Sequence, residues 1–131
     1  MLKPSKGQDI CDRTFSFAVR IVRLCRYLRQ QSGADPALIK QLLRSGTSIG
    51  ANIEEAQATQ TGPDFVNKYA IALKEARETR YWLRILVASE SIQQVRVDDL
   101  LTEIEEYIRI IGAIIVATKK RLKRPNQSKE A

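Results

Sequence analysis

Apolar residues recur at three- and four-residue spacing along most of the chain, and the breaks in that rhythm divide it into four helices. The first should run from about Asp9 to Gln31. Ile10, Phe17, Ile21, Leu24 and Leu28 make one stripe on it, with Cys11, Phe15, Ala18, Val22 and Cys25 as a second stripe alongside. Ser32-Gly33-Ala34 interrupts the pattern, and Asp35-Pro36 restarts it with an N-cap followed by proline at the first helical position. The second helix should reach about Ala58. Thr61-Gly62-Pro63-Asp64 is a turn with proline poised to begin a third helix, from about Pro63 to Ala88. That helix turns Phe65, Tyr69, Ala72, Leu73, Ala76, Leu83 and Val87 inward. A polar connection from Ser89 to Val95, with Ile92 as its hydrophobic anchor, leads to a fourth helix from about Val97 to Leu122. On this last helix Leu100, Leu101, Ile104, Ile108, Ile111 and Ile115 face the core.

There is no strand-like alternation, no repeat and no internal linker. Four long helices joined by short connections predict an all-α fold, an antiparallel up-down four-helix bundle. The bundle should occupy residues 9–122 as one domain, between a flexible polar leader at 1–8 and a basic, polar flexible tail at 123–131.

The apolar faces are wider than a simple bundle needs. Phe15 and Val22 lie outside the main stripe of the first helix. Ile71, Trp82 and Ile85 lie on a different side of the third helix from its core residues, and Ile110 and Ile114 extend the fourth sideways. A monomer would leave several of these in water as a large patch, which soluble monomers rarely do. They are the expected homo-oligomer interface.

One stretch of the second helix is unusual, Ser45-Gly46-Thr47-Ser48-Ile49-Gly50-Ala51-Asn52-Ile53-Glu54-Glu55-Ala56. At about 100° per residue, Gly46 and Gly50 lie one turn apart beside Leu42, Ile49, Ile53 and Ala56. Each helical glycine costs ~1 kcal/mol against alanine. The pair therefore marks close approach of a neighbouring helix, with Asn52 and the serines expected to hydrogen-bond across the contact. A functional pocket is the alternative reading.

The chain has 22 Lys plus Arg against 15 Asp plus Glu, for a net charge of +7. That balance favours an acidic partner, whether nucleic acid, an anionic membrane surface or an acidic protein. Arg13, Arg20 and Arg23 lie on the polar side of the first helix with Tyr27. Lys74, Arg77, Arg80 and Arg84, with Tyr81 between them, mark the third. The densest group is Lys119, Lys120, Arg121, Lys123 and Arg124, five of six consecutive residues with no acid near in the sequence. A helix C-terminus favours cations, which accounts for about two of the five. The candidate nucleic-acid contacts are Arg20, Arg23, Lys74, Arg77 and that terminal group. Such contact would be phosphate-dominated and salt-sensitive.

Catalytic chemistry is poorly represented. The absence of histidine removes the commonest general base and the Glu-x-x-His pairs of di-iron bundles. No phosphate-binding glycine loop, nucleophile elbow or cysteine-pair zinc spacing is present. Glu54, Glu55, Glu75 and Glu78 could gather carboxylates between the second and third helices, as Mg²⁺ would require. Lys74, Arg77 and Arg80 beside two of them favour salt bridging instead. No cofactor and no metal are expected, and the protein reads as non-enzymatic.

Cys11 and Cys25 stand fourteen residues apart in one helix, roughly 21 Å along its axis. They read as small buried residues of a reduced protein. No secretory signal opens the chain, and the apolar run Ile110 to Ala117 is too short to span a bilayer. A soluble, cytoplasmic protein is expected.

The segment from Leu42 to Ala56, with Ser48, Asn52-Ile53 and Glu55 at its centre, resembles the second-helix signature of the four-helix-bundle proteins named after 23S rRNA intervening sequences. Phe65 to Leu83 is similar to that family's third helix, and the likeness spans roughly residues 9 to 122. Gly46, Ser48, Gly50, Asn52 and Glu55 are the structural motif. Many relatives have proline where Gly50 stands and glycine where Ala56 stands. The accessory variability determinant proteins of diversity-generating retroelements are similar bundles. The resemblance implies an antiparallel bundle, often assembled as a homopentamer. It also implies nucleic-acid binding, with a reverse transcriptase as protein partner for the retroelement relatives, and it carries over no catalytic residue. The reading is thus a basic, homo-oligomeric scaffold that binds RNA or DNA backbone. The alternative is a helical protein-interaction module with no nucleic-acid contact.

Overall fold

A computed structural model describes residues 9–31 and 33–124. Among them are four α-helices, α1 (Ile10–Gln31), α2 (Pro36–Ala56), α3 (Gly62–Ala88) and α4 (Asp98–Lys123), with a 3-10 turn at Gln94–Arg96 and no strand. The leader 1–8 and most of the proposed tail lie outside the described residues. Lys123, assigned above to the tail, ends α4.

The helix starts follow from their caps. Asp35 accepts from the Ala37 backbone N–H at 2.8 Å, and Pro36 supplies a first residue that needs no hydrogen-bond acceptor. Thr61 does the same for Asp64 N–H at 3.2 Å, so α3 begins at Gly62, one residue earlier than its proline suggests. The stop of α3 has no glycine. Glu90 takes the left-handed conformation there (φ 60°), with its N–H donating to Val87 O at 3.0 Å and Ser91 N–H to Leu86 O at 2.9 Å. These two bonds make a Schellman cap on a residue type that rarely adopts it.

Close backbone packing joins α1 to α2, α2 to α3 and α3 to α4. In each pair the contacts run in reverse order along the two helices. Between α1 and α2, Thr14 meets Gly50, Ile21 meets Gly46, and Cys25 donates weakly to Ile39 O. Between α2 and α3, Lys68 pairs with Glu55 at 2.7 Å while Thr79 donates to the Ser45 hydroxyl at 2.9 Å. Between α3 and α4, Arg80 pairs with Glu105, and Gly62 lies against Leu122.

The core holds Phe17, Ile21, Leu28, Leu42, Ile49, Ile53, Leu83, Leu86, Ile104 and Ile111, all fully buried. Ile92 is buried in the α3–α4 connection, as its anchoring role requires. Several inward positions are polar. Thr14, Ser45, Thr79 and Thr118 are buried, each hydroxyl bonded to a backbone carbonyl of its own helix, and Thr79 also to Ser45. Tyr107, fully buried, occupies the centre of α4.

α1 and α4 are the exception in spacing. Their backbones stay further apart than those of the other neighbours. Large side chains close the seam: Phe17 and Tyr107 meet edge to face at 5.4 Å, and the Tyr107 hydroxyl lies 3.0 Å from Arg13 O.

The glycines of α2 mark close contacts, tightest at Gly46. A Cβ on Gly46 would stand 2.8 Å from Ile21 Cγ2, and one on Gly50 would stand 3.1 Å from the Thr14 carbonyl oxygen. Gly112 in α4 has open space at the same position. Gly46→Leu should therefore lower unfolding free energy by about 1–3 kcal/mol through overpacking. Gly112→Ala should instead raise it, by up to ~1 kcal/mol of helix propensity. Urea melts of both variants check the pair; equal shifts would contradict the close-approach account.

Candidate nucleic-acid interface

Where each charged side chain goes decides what surface is left. Five glutamates lie on α3 and α4, and each is held by an arginine of another helix. Arg44 of α2 reaches across to Glu75 at 3.2 Å and to Glu78. Arg80 of α3 holds Glu105 at 3.1 Å. Arg13 and Arg20 of α1 hold Glu106 and Glu103, each at 2.6 Å. These pairs sit at helix seams, each joining two helices.

The α1–α4 pairs form a small network. Tyr107 donates to Glu103 as well as lying near Arg13 O, and the Arg13 guanidinium sits 5.1 Å over its ring. Burial pushes the Tyr107 phenol well above its usual range, and the adjacent Glu103 carboxylate pushes it further. The hydroxyl thus stays protonated and serves as a fixed donor. At the α2–α3 seam, burial opposes ionisation of Glu78, but the Trp82 indole N–H at 3.2 Å and Arg44 outweigh it and hold the carboxyl below its usual range. Glu75, whose side chain is only 9% exposed, depends on the same Arg44.

The cations of the outer faces have no such partners. Arg23, Lys74, Arg77, Lys119, Lys120, Arg121, Lys123 and Arg124 are exposed, and none forms an ion pair among the described residues. Arg20 differs: the candidate contact is engaged with Glu103 at the α1–α4 seam. Beyond Glu106 the remaining described residues of α4 contain no acid, so its last turn is purely basic. Leu122 inside that group packs over Gly62, which anchors the cationic turn against the start of α3.

The other expected positions divide. Ser48 donates to Arg44 O at 2.6 Å, and Asn52 donates to Ser48 O at 2.8 Å, both within α2. Among these serines and Asn52, only Ser45 has a side-chain hydrogen bond to the next helix, accepted from Thr79; half-buried Asn52 does not make the expected cross-helix bond among the described residues. Glu55 is exposed and paired with Lys68. Phe15 is 64% exposed, the most exposed aromatic of the fold, with Val22 half-buried two turns along. Ile71, Ile85 and Ile110 are half-buried. Trp82 and Ile114 are also half-buried and pack against the core. A single helix projected alone cannot distinguish a seam from a surface.

Among the described residues, no cluster of His, Cys, Asp or Glu could hold a metal ion. Burial raises the pKa of both cysteine thiols, Cys25 the more deeply buried of the two. No described helix is long and apolar enough to cross a membrane.

The described residues thus form an all-helical fold of four long helices. Residues 6–113 match the 23S rRNA-intervening sequence protein model, and the chain belongs to that family. It is similar to a crystal structure of a protein of unknown function from the S23 ribosomal protein family of Bacteroides thetaiotaomicron. The two are 43% identical with a TM-score of 0.78, over 82% of this chain and 98% of that one. No curated protein matches the chain.

Removing Arg44 should expose how the seam pairs work. Arg44→Met strands Glu75 and Glu78 near neutral pH and should destabilise the fold. Because the folded-state pKa of Glu78 is depressed, its contribution is present above the unfolded carboxylate pKa of about 4.3 and is lost as pH falls below it. The gap in melting temperature between wild type and variant should therefore narrow as pH is lowered through about 4. A gap independent of pH would contradict this assignment.

Proposed function

We propose that this chain is a non-enzymatic, antiparallel up-down four-helix bundle that assembles with copies of itself and binds the phosphate backbone of RNA or DNA. The observation that carries the reading is the partition of charge. The glutamates of α3 and α4 are neutralised at the seams, while the outer cations, densest at Lys119 to Arg124, have no described ion-pair partner. A rigid polycation of this kind attracts a polyanion chiefly by releasing its counterions. The reversed order of contacts in three successive helix pairs supports the up-down arrangement. The family match supports a setting close to ribosomal RNA by its description alone, and it ends at residue 113, before the cationic turn. That turn is a feature of this chain rather than of the matched region.

Self-assembly is supported by Phe15, which stands largely in water on the same side of α1 as half-buried Val22 and Ala18. Repetition of the subunit would repeat the cationic turns and add avidity without new contacts.

Anisotropy titrations of a labelled RNA over a salt series test the binding. Replacing Lys119, Lys120 and Arg121 by alanine should leave the fold intact. It should also reduce the slope of log affinity against log salt by about 0.7–0.9 for each phosphate no longer neutralised. No binding at low salt, or an unchanged slope, would refute the reading. For assembly, light scattering should find wild-type oligomers and a smaller species for Phe15→Glu; a monomeric wild type at micromolar concentration would remove the assembly claim.

A further inference from the structure

The exposed side of α3 carries Lys74, Arg77, Tyr81 and Arg84 at alternating three- and four-residue spacing, which sets them in one row about 15 Å long. The glutamates beside this row are already engaged: Glu75 and Glu78, its neighbours in sequence, by Arg44, with Trp82 also on Glu78, and Glu105 of α4 by Arg80. Asp98 lines the same shallow depression as Arg84 but forms no ion pair with it among the described residues. The row therefore keeps its charge.

Tyr81 stands between these cations with 53% of its surface in water. Its ring meets that of Trp82 edge to face, with centroids 5.2 Å apart and planes at 67°. Trp82 is fixed in turn by its indole hydrogen bond to Glu78 and by packing on the core. The exposed ring is thus held on a rigid support by a chain of contacts that begins at Arg44.

We infer that this row is a binding surface for single-stranded nucleic acid, with Tyr81 as the platform for one unpaired base and Lys74, Arg77 and Arg84 as phosphate contacts; the inference rests on the nucleic-acid reading above. Cations alone would accept any polyanion. An aromatic face among them adds affinity only for a partner with an accessible π face, and every unpaired base has one. Bases in a duplex are stacked on each other, and a straight helix laid on A-form RNA reaches phosphates and groove edges, not base faces. An acidic protein would use the cations but leave Tyr81 without a role.

Trp82 is the chain's only tryptophan, so its fluorescence reports directly on this site. The full chain is titrated with a uridine oligonucleotide, with an RNA duplex of equal phosphate number and with polyglutamate. Single-strand binding should quench Trp82. Tyr81→Ala should weaken it by about 5- to 150-fold, the contribution of one stacked base, while duplex affinity stays within about twofold. Tyr81→Phe should retain wild-type affinity. Circular dichroism confirms that these surface variants fold. If wild type binds neither RNA at low salt, the nucleic-acid reading itself fails. If wild type binds both and Tyr81→Ala binds the single strand equally well, only the present inference is overturned. Polyglutamate binding as tight as the single strand would overturn it in favour of an acidic protein partner.

Discussion

The contact between α1 and α2 at Gly46 and Gly50 sets the geometry of the rest. With no side chain at either position, Ile21 and the Thr14 backbone lie directly on α2. A helix drawn that close to one neighbour stands off from the other, and α1 is correspondingly separated from α4. Interiors tolerate no void there, so the wider seam takes the largest side chains available. Phe17 and Tyr107 fill it, and Arg13 and Arg20 reach across it to Glu106 and Glu103. The glycines of α2 draw α1 in on one side, and the long side chains on its other side span the gap that this leaves.

The same arrangement sorts the charge. Arginines at the seams satisfy the carboxylates that reach inward, and Arg44 does this for two glutamates at once. The glutamates of α3 and α4 are thereby neutralised at the seams, although the chain as a whole is only moderately basic. What faces water is more cationic than composition suggests, on the row from Lys74 to Arg84 and on the last turn of α4. Stability and outer charge are coupled through this sorting. A change at a buried pair such as Arg44–Glu75 would alter the outer field as well as the fold.

Much of the architecture was legible because it rests on local chemistry. Asp35-Pro36 and Thr61-Gly62-Pro63 marked helix starts through their caps, and the glycine spacing in α2 marked a close contact. Periodicity placed most core residues but favoured apolar ones, so buried Thr79, Glu75 and Tyr107 escaped it. Their signal was present: Tyr107 lies on the same stripe as Ile104 and Ile111, and its hydroxyl concealed a core position. Pairing across helices was not legible. Arg20 and Arg23 are equally basic in sequence, and only the register of α1 against α4 gives the first a carboxylate and leaves the second exposed. The partial burial of Trp82 and Ile114 against the core was not legible for a related reason, since the width of a seam is a property of two helices together.

The central claim is that seam pairing leaves two cationic surfaces available to nucleic acid. Amide chemical-shift mapping tests it most directly, by titrating isotope-labelled protein with a short uridine oligonucleotide at low salt. The account predicts shifts concentrated at residues 74–84 of α3 and 119–124 of α4, reversed by added salt. Shifts concentrated instead along the α1–α2 face, or no shifts at saturating oligonucleotide, would contradict it.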